Sequence, residues 1–465
     1  MVKKASKTSR KDVAGAKASR KGESRAKTAP AAPRRKRAEQ VSGLDASAAS
    51  SGRSKCPVER TCGGCTRITQ PYERQLAEKN AYVTELFADQ VFESADIRPI
   101  KGMDDPFHYR NKVNSPFAPG KRGPNGGREI LTGMYAAGSH RIVPVGNCLL
   151  ENEQAQQVIR TVKDIMRKHG MAPYDEDKGS GFMRHAVVRV GHESGEVLVT
   201  LVTNEEEFPS AKAFCRELVK RCPFITSIVQ NVNTRQTNVI LGEREQRLYG
   251  PGFILDTLCG LSFRISSKSF YQVNAVQTTV LYEQALAFAD LGPGQVAVDA
   301  YSGTGTIGLV AAKRSGAQVI GVDSVESAIR DAWENARHNG IGNARFATAD
   351  AGVFMRELAA DGQQVDVVFM DPPRAGSTEE FLDALAQLAP ARVVYISCNP
   401  ETQVRDLRYL VGRGYAVRVV QPVDMFPHTD HVETVVLMGR ARESELPKPS
   451  QVEGALMLEN GNCPS

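Results

Sequence analysis

Seven short apolar runs follow one another in the C-terminal half of the chain, and they leave few folds open. They are VAVDA (296–300), QVIGVD (318–323), ARFATA (344–349), DVVFMD (366–371), RVVYIS (392–397), AVRVVQ (416–421) and ETVVLM (433–438). Each has strand length, most are rich in Val and Ile, and helical segments separate the early ones. Strands alternating with helices argue a doubly wound α/β domain with a mostly parallel sheet. Ligands of such a sheet bind outside the carboxyl ends of its strands. Residues at those ends are therefore the first candidates for function.

The first run leads into DAYSGTGTIGL (299–309), a Gly-rich turn and a helix start. Gly303 and Gly305 allow close approach of backbone to a ligand, and Gly308 allows tight helix packing. Asp323 ends the next run 20 residues after Gly303, where an acid that binds ribose hydroxyls is expected. Nicotinamide and flavin enzymes share such turns. Here the turn is D-x-x-x-G-x-G, Asp350 follows the third run, and DPPR (371–374) follows the fourth. This combination resembles class I S-adenosylmethionine-dependent methyltransferases. The resemblance implies a Rossmann-like, seven-stranded sheet whose last strand runs antiparallel beside the fifth.

Strand ends also collect reactive groups. Cys398 leaves the fifth run in SCNP (397–400), where Pro400 ends regular pairing. Alone, that cysteine could be a buried filler, a metal ligand or a nucleophile. In the methyltransferase topology Asp371, Cys398 and Glu433 should meet at one edge of the sheet. Methylation at C5 of a pyrimidine needs such a set. A thiolate adds to C6 to make C5 nucleophilic, and a base then removes the C5 proton. A catalytic thiol of this kind is expected to have a lowered pKa.

SFYQVN (269–274), DAYSGTGTIG, DPPRAG (371–376), ISCNP (396–400) and HTDHVET (428–434) together resemble the RNA uracil-C5 methyltransferase family, in order across most of 56–440. By that resemblance Gln272, Tyr301, Gly303, Thr306, Asp323, Asp350 and Asp371 line the cofactor pocket, Cys398 is the nucleophile and Glu433 the base. Asp371 and Gln272 are also candidate contacts to the target uracil. Phe270 is a candidate stacking platform for a flipped base, although a lone aromatic is more often core. His428 and His431 flank the base and are expected to act as structural hydrogen-bonding groups. Arg374 stands where adenine methyltransferases usually carry an aromatic.

CPVERTCGGC places Cys56, Cys62 and Cys65 together, and Cys148 lies far off in PVGNCLL. Four thiolates suit either tetrahedral zinc or an iron–sulfur cluster, and spacing does not choose. The resemblance does: bacterial 23S rRNA members with this arrangement carry a [4Fe–4S] cluster, whereas tRNA members generally lack these cysteines. It implies 5-methyluridine formation in 23S rRNA, with tRNA uridine methylation or a non-catalytic RNA-binding assembly factor as rivals. Arg110, Lys112 and Arg141 suit contacts to an RNA backbone.

Charge is unevenly placed. Residues 1–50 hold 14 Lys/Arg and 4 Asp/Glu, a balance of +10 in a chain whose net charge is +6. The expected organisation is a disordered basic tail over 1–55 and a strand-rich iron–sulfur and RNA-binding region over 56–262. A methyltransferase domain over 263–442 and a flexible tail over 443–465 follow. A helix over 72–87 is expected, able to pack on the catalytic domain, with further helices at about 151–168 and 210–220, a hairpin in HAVVRVGHESGEVLVTLVTN (185–204) and a strand pair at 225–233 and 238–243. No apolar run reaches about 18 residues and no secretory h-region is present, so a cytoplasmic monomer without membrane contact is expected.

Overall fold

A computed structural model describes residues 56–122 and 128–442. The two expected tails, 1–55 and 443–465, lie outside the described residues. Two sheets share the described chain. The first half builds α1 (Tyr72–Leu86), β1 (Asp96–Ile97), β2 (Lys112–Arg122), β3 (Arg128–Tyr135), β4 (Ile142–Pro144), α2 (Glu153–Lys168), β5 (Met183–Val190), β6 (Val197–Thr203), α3 (Ala211–Arg221), β7 (Ile225–Val232) and β8 (Arg244–Tyr249). A hairpin of β9 (Phe253–Leu258) and β10 (Leu261–Ser266) leads onward.

The first sheet has the order β4-β3-β2-β5-β6-β7-β8. Its Val- and Ile-rich strands bury one face beneath α2 and α3 around Val158, Ile165, Val188, Val199 and Phe214. Asn152 caps α2 by accepting from the Gln154 and Ala155 N–H groups. The β5–β6 hairpin lies where the sequence placed it. The expected strand at 238–243 does not form, and β7 pairs instead with β8. Side chains have taken that segment's backbone groups. Asn233 Nδ2 donates to the carbonyls of Val239 (2.6 Å) and Ile240 (3.0 Å), and Asn231 bonds both the N–H and the carbonyl of Gly242.

The second half builds α4 (Ala275–Ala289), β11 (Val296–Ala300), α5 (Thr306–Ser315), β12 (Gln318–Asp323), α6 (Glu326–His338), β13 (Ala344–Thr348), α7 (Ala351–Ala360), β14 (Val367–Met370), α8 (Glu379–Leu388), β15 (Arg392–Ser397), α9 (Pro400–Val411), β16 (Tyr415–Val423) and β17 (Glu433–Arg440). All seven expected strands are present, ordered β13-β12-β11-β14-β15-β17-β16, with β17 antiparallel to both neighbours. This is the class I methyltransferase fold. An eighth strand, the two-residue β1, extends the edge by pairing parallel to β16. Two residues carry no periodicity, so this strand has no local signal.

α1 is the expected helix, but its buried face differs from the apolar one. Gln75, Lys79 and Val83, spaced four apart, are buried, while Tyr82 is exposed. The helix and its exit drive Val83, Phe87 and Phe92 into one core with Val298, Val368 and Leu407 of the methyltransferase sheet and helices. The Lys79 ammonium meets the Asp424 carboxylate at 2.6 Å, and both side chains are buried. The Tyr72 hydroxyl donates to the other Asp424 oxygen at 2.8 Å.

Removing one partner of a buried pair strands the other charge, at a cost of about 3–5 kcal/mol. Asp424→Ala should therefore cost about that much in urea-denaturation stability, whereas Lys79→Met with Asp424→Leu should recover most of it.

Candidate active site

The glycine-rich turn is held by backbone geometry. Tyr301, Gly303 and Gly305 all take left-handed φ angles (67°, 54° and 78°). Gly303 faces open space, so nothing crowds a ligand there. At Gly308 an added Cβ would lie 2.7 Å from Asp299 Oδ2, and that oxygen accepts the Gly308 N–H at 2.9 Å. Asp323 closes the turn: Oδ2 accepts the Gly303 N–H (2.9 Å) and Oδ1 the Val325 N–H (2.8 Å). Each oxygen keeps acceptor capacity for a ribose hydroxyl. The Thr306 and Tyr282 hydroxyls lie 2.8 Å apart. Tyr301 packs against Phe381, 3.4 Å from Ser377 Oγ. Asp350 caps α7 by accepting the Val353 N–H at 3.0 Å, and its charge is felt at Tyr301.

Gln272 sits in the loop between β10 and α4, without a hydrogen-bond partner among the described residues. That loop is fixed from the first sheet. The buried Arg189 of β5 donates to the carbonyls of Ser267 and Ser269, and the Asn111 N–H donates to the Val273 carbonyl at 2.7 Å. Phe270 projects from the loop with 70% of its surface exposed, which removes it from the core.

Cys398 sits half-buried in the turn between β15 and α9. The Asn399 N–H donates to Ser397 Oγ, the Ser397 hydroxyl donates to the Asn399 carbonyl, and Asn399 caps α9, whose first residue is Pro400. Asn399 Nδ2 and Thr402 Oγ1 both donate to the Arg374 carbonyl at 3.1 Å. The Arg374 guanidinium in turn hydrogen-bonds the Cys398 sulfur. Glu433 opens β17 and is buried, with no hydrogen-bond partner among the described residues. Burial, then the Asp371 charge, push its carboxyl up to about 8, while Arg374 pulls the other way. Burial raises Asp371 to about 7.

The Cys398 thiol corrects one expectation. It is pushed up, not down, first by burial and then by Glu433 and Asp371; Arg374 offsets only part of this.

The loop from Asp424 to Val432 positions Glu433, and the N-terminal segment holds it. The Thr66 and Arg67 N–H groups donate to the His428 carbonyl at 3.1 and 3.0 Å. Gln75 accepts the His428 N–H at 3.0 Å and shares a hydrogen bond with His428 Nδ1 at 3.1 Å. Tyr109 donates to the Pro427 carbonyl, and Phe107 stacks on the His428 ring at 4.9 Å. Burial lowers His428 to about 4, so its ring is neutral and braces the loop, whose backbone takes φ 65° there.

Comparison with known proteins decides the family. Residues 259–441 match the family model described as tRNA (Uracil-5-)-methyltransferase. The chain is 43% identical over 385 residues to an uncharacterized RNA methyltransferase of Halalkalibacterium halodurans, covering 82% of each chain. It is 40% identical to another of Caldanaerobacter subterraneus, covering 83% of this chain and 84% of that one. The crystal structure of Pyrococcus abyssi tRNA (uracil-54, C5)-methyltransferase in complex with S-adenosyl-L-homocysteine is 29% identical, with a TM-score of 0.66 over 82% of this chain and 86% of that one.

The chain belongs to the RNA uracil-C5 methyltransferase family. It is an S-adenosylmethionine-dependent RNA methyltransferase.

The methyltransferase also brings Cys56, Cys62, Cys65 and Cys148 to one apolar-walled cavity with Val58, Ile68 and Met134. Cys62 Sγ accepts the Gly64 N–H at 3.3 Å, and Cys148 accepts backbone N–H groups of Leu150 and Glu151. Gln156 of α2 fixes Cys148 through both its N–H and its carbonyl, each at 2.8 Å. Among the described residues no three His, Cys, Asp or Glu side chains are placed to hold a metal ion. Of the three cations expected at RNA, Arg141 is exposed, whereas Arg110 and Lys112 are half-buried near Glu151 and Arg189.

Sequence reasoning missed Arg374 as a partner of Cys398, and it missed Gln75, Lys79 and Tyr109 as braces. Position after DPP was a signal for Arg374. For the braces none existed, since polar residues on a helix or in a loop read as solvated.

Because Glu433 is pushed up to about 8 and the Cys398 thiol is raised above its ordinary value, kcat/KM should still be climbing at about pH 9 instead of levelling near pH 6. Arg374→Gln should move that limb to higher pH, since the guanidinium favours both charged forms.

Proposed function

We propose that this enzyme makes 5-methyluridine in 23S ribosomal RNA through a covalent adduct on Cys398, with Glu433 as the base. The observation that carries the reading is the meeting of a thiol, a cation and a buried, unpartnered carboxyl at the edge where β14, β15 and β17 end or begin. S-adenosylmethionine supplies the methyl group as a sulfonium electrophile. Phe270 offers its exposed ring to the flipped base, and Gln272 and Asp371, both free to bond, hold polar atoms of the uracil or the cofactor. Tyr301, Gly303, Thr306, Asp323 and Asp350 line the cofactor side.

The chain's own groups account for the proton and electron movements. Cys398 gives its proton to solvent and its sulfur bonds to C6 as the C5–C6 π pair moves to C5; C5 then bonds the methyl carbon while the methyl–sulfonium bond breaks, its electron pair leaving on the sulfur of S-adenosylhomocysteine. Glu433 then accepts the C5 proton, the ring electrons re-form the C5–C6 double bond, and the C6–S bond breaks. A carboxyl titrating near 8 is a stronger base than an ordinary glutamate, which suits removal of a carbon-bound proton. Arg374, bonded to the sulfur, stabilises the thiolate at the start and at release.

The donor set supports a [4Fe–4S] cluster, since four cysteines line one apolar cavity with N–H groups directed at Cys62 and Cys148, even though among the described residues no three such side chains are yet placed to hold a metal ion. Burial first, and then the neighbouring Cys62, Cys56 and Cys148 thiols, push Cys65 up to about 12; a shared cation would offset both. The cluster would supply a covalent staple between Cys56–Cys65 and Cys148. The same cysteines support the ribosomal reading. The Pyrococcus abyssi relative's substrate supports a second one, methylation of a tRNA uridine.

Ribosomal and transfer RNA from cells with and without the gene, mapped by mass spectrometry, separates these readings: 5-methyluridine should vanish from 23S rRNA. Loss from tRNA alone would overturn the ribosomal assignment. With RNA carrying 5-fluorouracil, a stable protein–RNA adduct should form and should disappear in Cys398→Ala. With ordinary uracil RNA, Glu433→Gln should accumulate the methylated adduct, because the C5 proton stays in place. Protein purified without oxygen should hold about four irons per chain; Cys148→Ala should lose them and the visible absorbance together.

A further inference from the structure

A second cavity, of about 160 Å³, opens on the first sheet, on the face opposite α2 and α3. Its construction is specific. β5 carries a bulge where pairing passes from Met183–Thr203 to His185–Val202. The extra residue turns Arg184 and His185 to the same side, and both line the cavity. Arg184 stacks on the Tyr174 ring at 4.3 Å, and its Nη1 holds the Asn233 and Arg235 carbonyls at 2.6 and 2.8 Å. Tyr135 and His140, with ring centroids 5.5 Å apart, form another wall. The segment 237–240, whose expected strand did not form, closes the rim.

Two polar atoms there are buried and unpaired: Arg184 Nε and His185 Nδ1. Leaving buried donors and acceptors unpaired is costly, and both atoms belong to residues that line the cavity. One is always a donor, and the other, on a neutral imidazole, donates or accepts. Aromatic walls with an adjacent donor and acceptor suit the edge and face of a nucleobase. A phosphate is disfavoured, because Glu176 lies on the wall, bonded to His140 at 2.9 Å.

The position fits the same RNA. On β2 and β5, Lys112 pairs with Arg189 and Pro116 with His185. His185 thus lies on the face of Arg189, four residues or about 13 Å along the strand. Arg189 holds the Ser267 and Ser269 carbonyls beside the exposed Phe270. A strand whose target base leaves at Phe270 passes over this cavity within a few nucleotides.

We infer that the cavity at Arg184, His185, Tyr135 and Tyr174 is a second base pocket, which captures an unstacked nucleobase near the target uridine and sets substrate selection. The inference rests on the proposed action on RNA uracil. Ala118, half-buried on the cavity wall, allows a filling variant, Ala118→Trp. Tyr135→Ala removes a wall instead.

Each should raise KM for an RNA fragment about tenfold with kcat within about twofold, the size expected from losing one stacked base. S-adenosylmethionine affinity, measured by calorimetry, should stay unchanged and reports folding. Replacing neighbouring nucleotides one at a time by abasic residues should find one position with the same penalty in wild type and none in Ala118→Trp. Unchanged KM in both folded variants, or penalties that add at every position, would overturn the pocket. Absence of a fluorouracil adduct in the wild type would instead overturn the proposed reaction.

Discussion

Lys79 and Asp424 lie 345 residues apart in sequence and share one buried ion pair. Two charges leave water only when geometry and further bonds compensate. Here the Tyr72 hydroxyl and the Phe426 carbonyl complete the set. The pair anchors α1 at the root of the loop that ends in Glu433. That loop has no helix or strand of its own, so its shape comes from outside: Thr66, Arg67 and Gln75 on His428, Tyr109 on Pro427, Phe107 on the His428 ring. Glu433, the proposed base, is therefore positioned by residues that precede the methyltransferase sheet in sequence.

The cysteine segment then gains a mechanical meaning. Cys65 directly precedes Thr66 and Arg67, whose N–H groups grip the His428 carbonyl. The sulfur cavity and the base loop are two ends of one short stretch of chain. Anything that fixes Cys62, Cys65 and Cys148 to one another also fixes that stretch. The Glu433 carboxyl has no hydrogen-bond partner among the described residues, which leaves it unquenched and makes the rigidity of its surroundings matter more.

Electrostatics in the site follow from burial more than from any one partner. Asp299, Asp371, Glu433 and Cys398 are all shifted toward their neutral forms, with desolvation the leading cause in each. Arg374 is the counterweight, tied by its carbonyl to the Cys398 turn and by its guanidinium to the sulfur. An adduct chemistry that begins and ends with a thiolate benefits from a cation that moves with the nucleophile's own loop.

Local sequence determined the seven strands of the methyltransferase sheet, α1 to α3, the glycine turn and the candidate residues Asp371, Cys398 and Glu433, because periodicity, turn chemistry and strand-end position are local signals. Gly308 is an example: its need follows from one strand and one helix. Only the tertiary structure decided that Gln75 and Lys79 face inward, that β1 joins the catalytic sheet, that 238–243 is a loop bound by Asn231 and Asn233, and that the Cys398 thiol is raised. Each depends on groups far away in sequence. Burial of a polar residue is settled by the partner that meets it, and that partner is chosen by the packing of the whole chain.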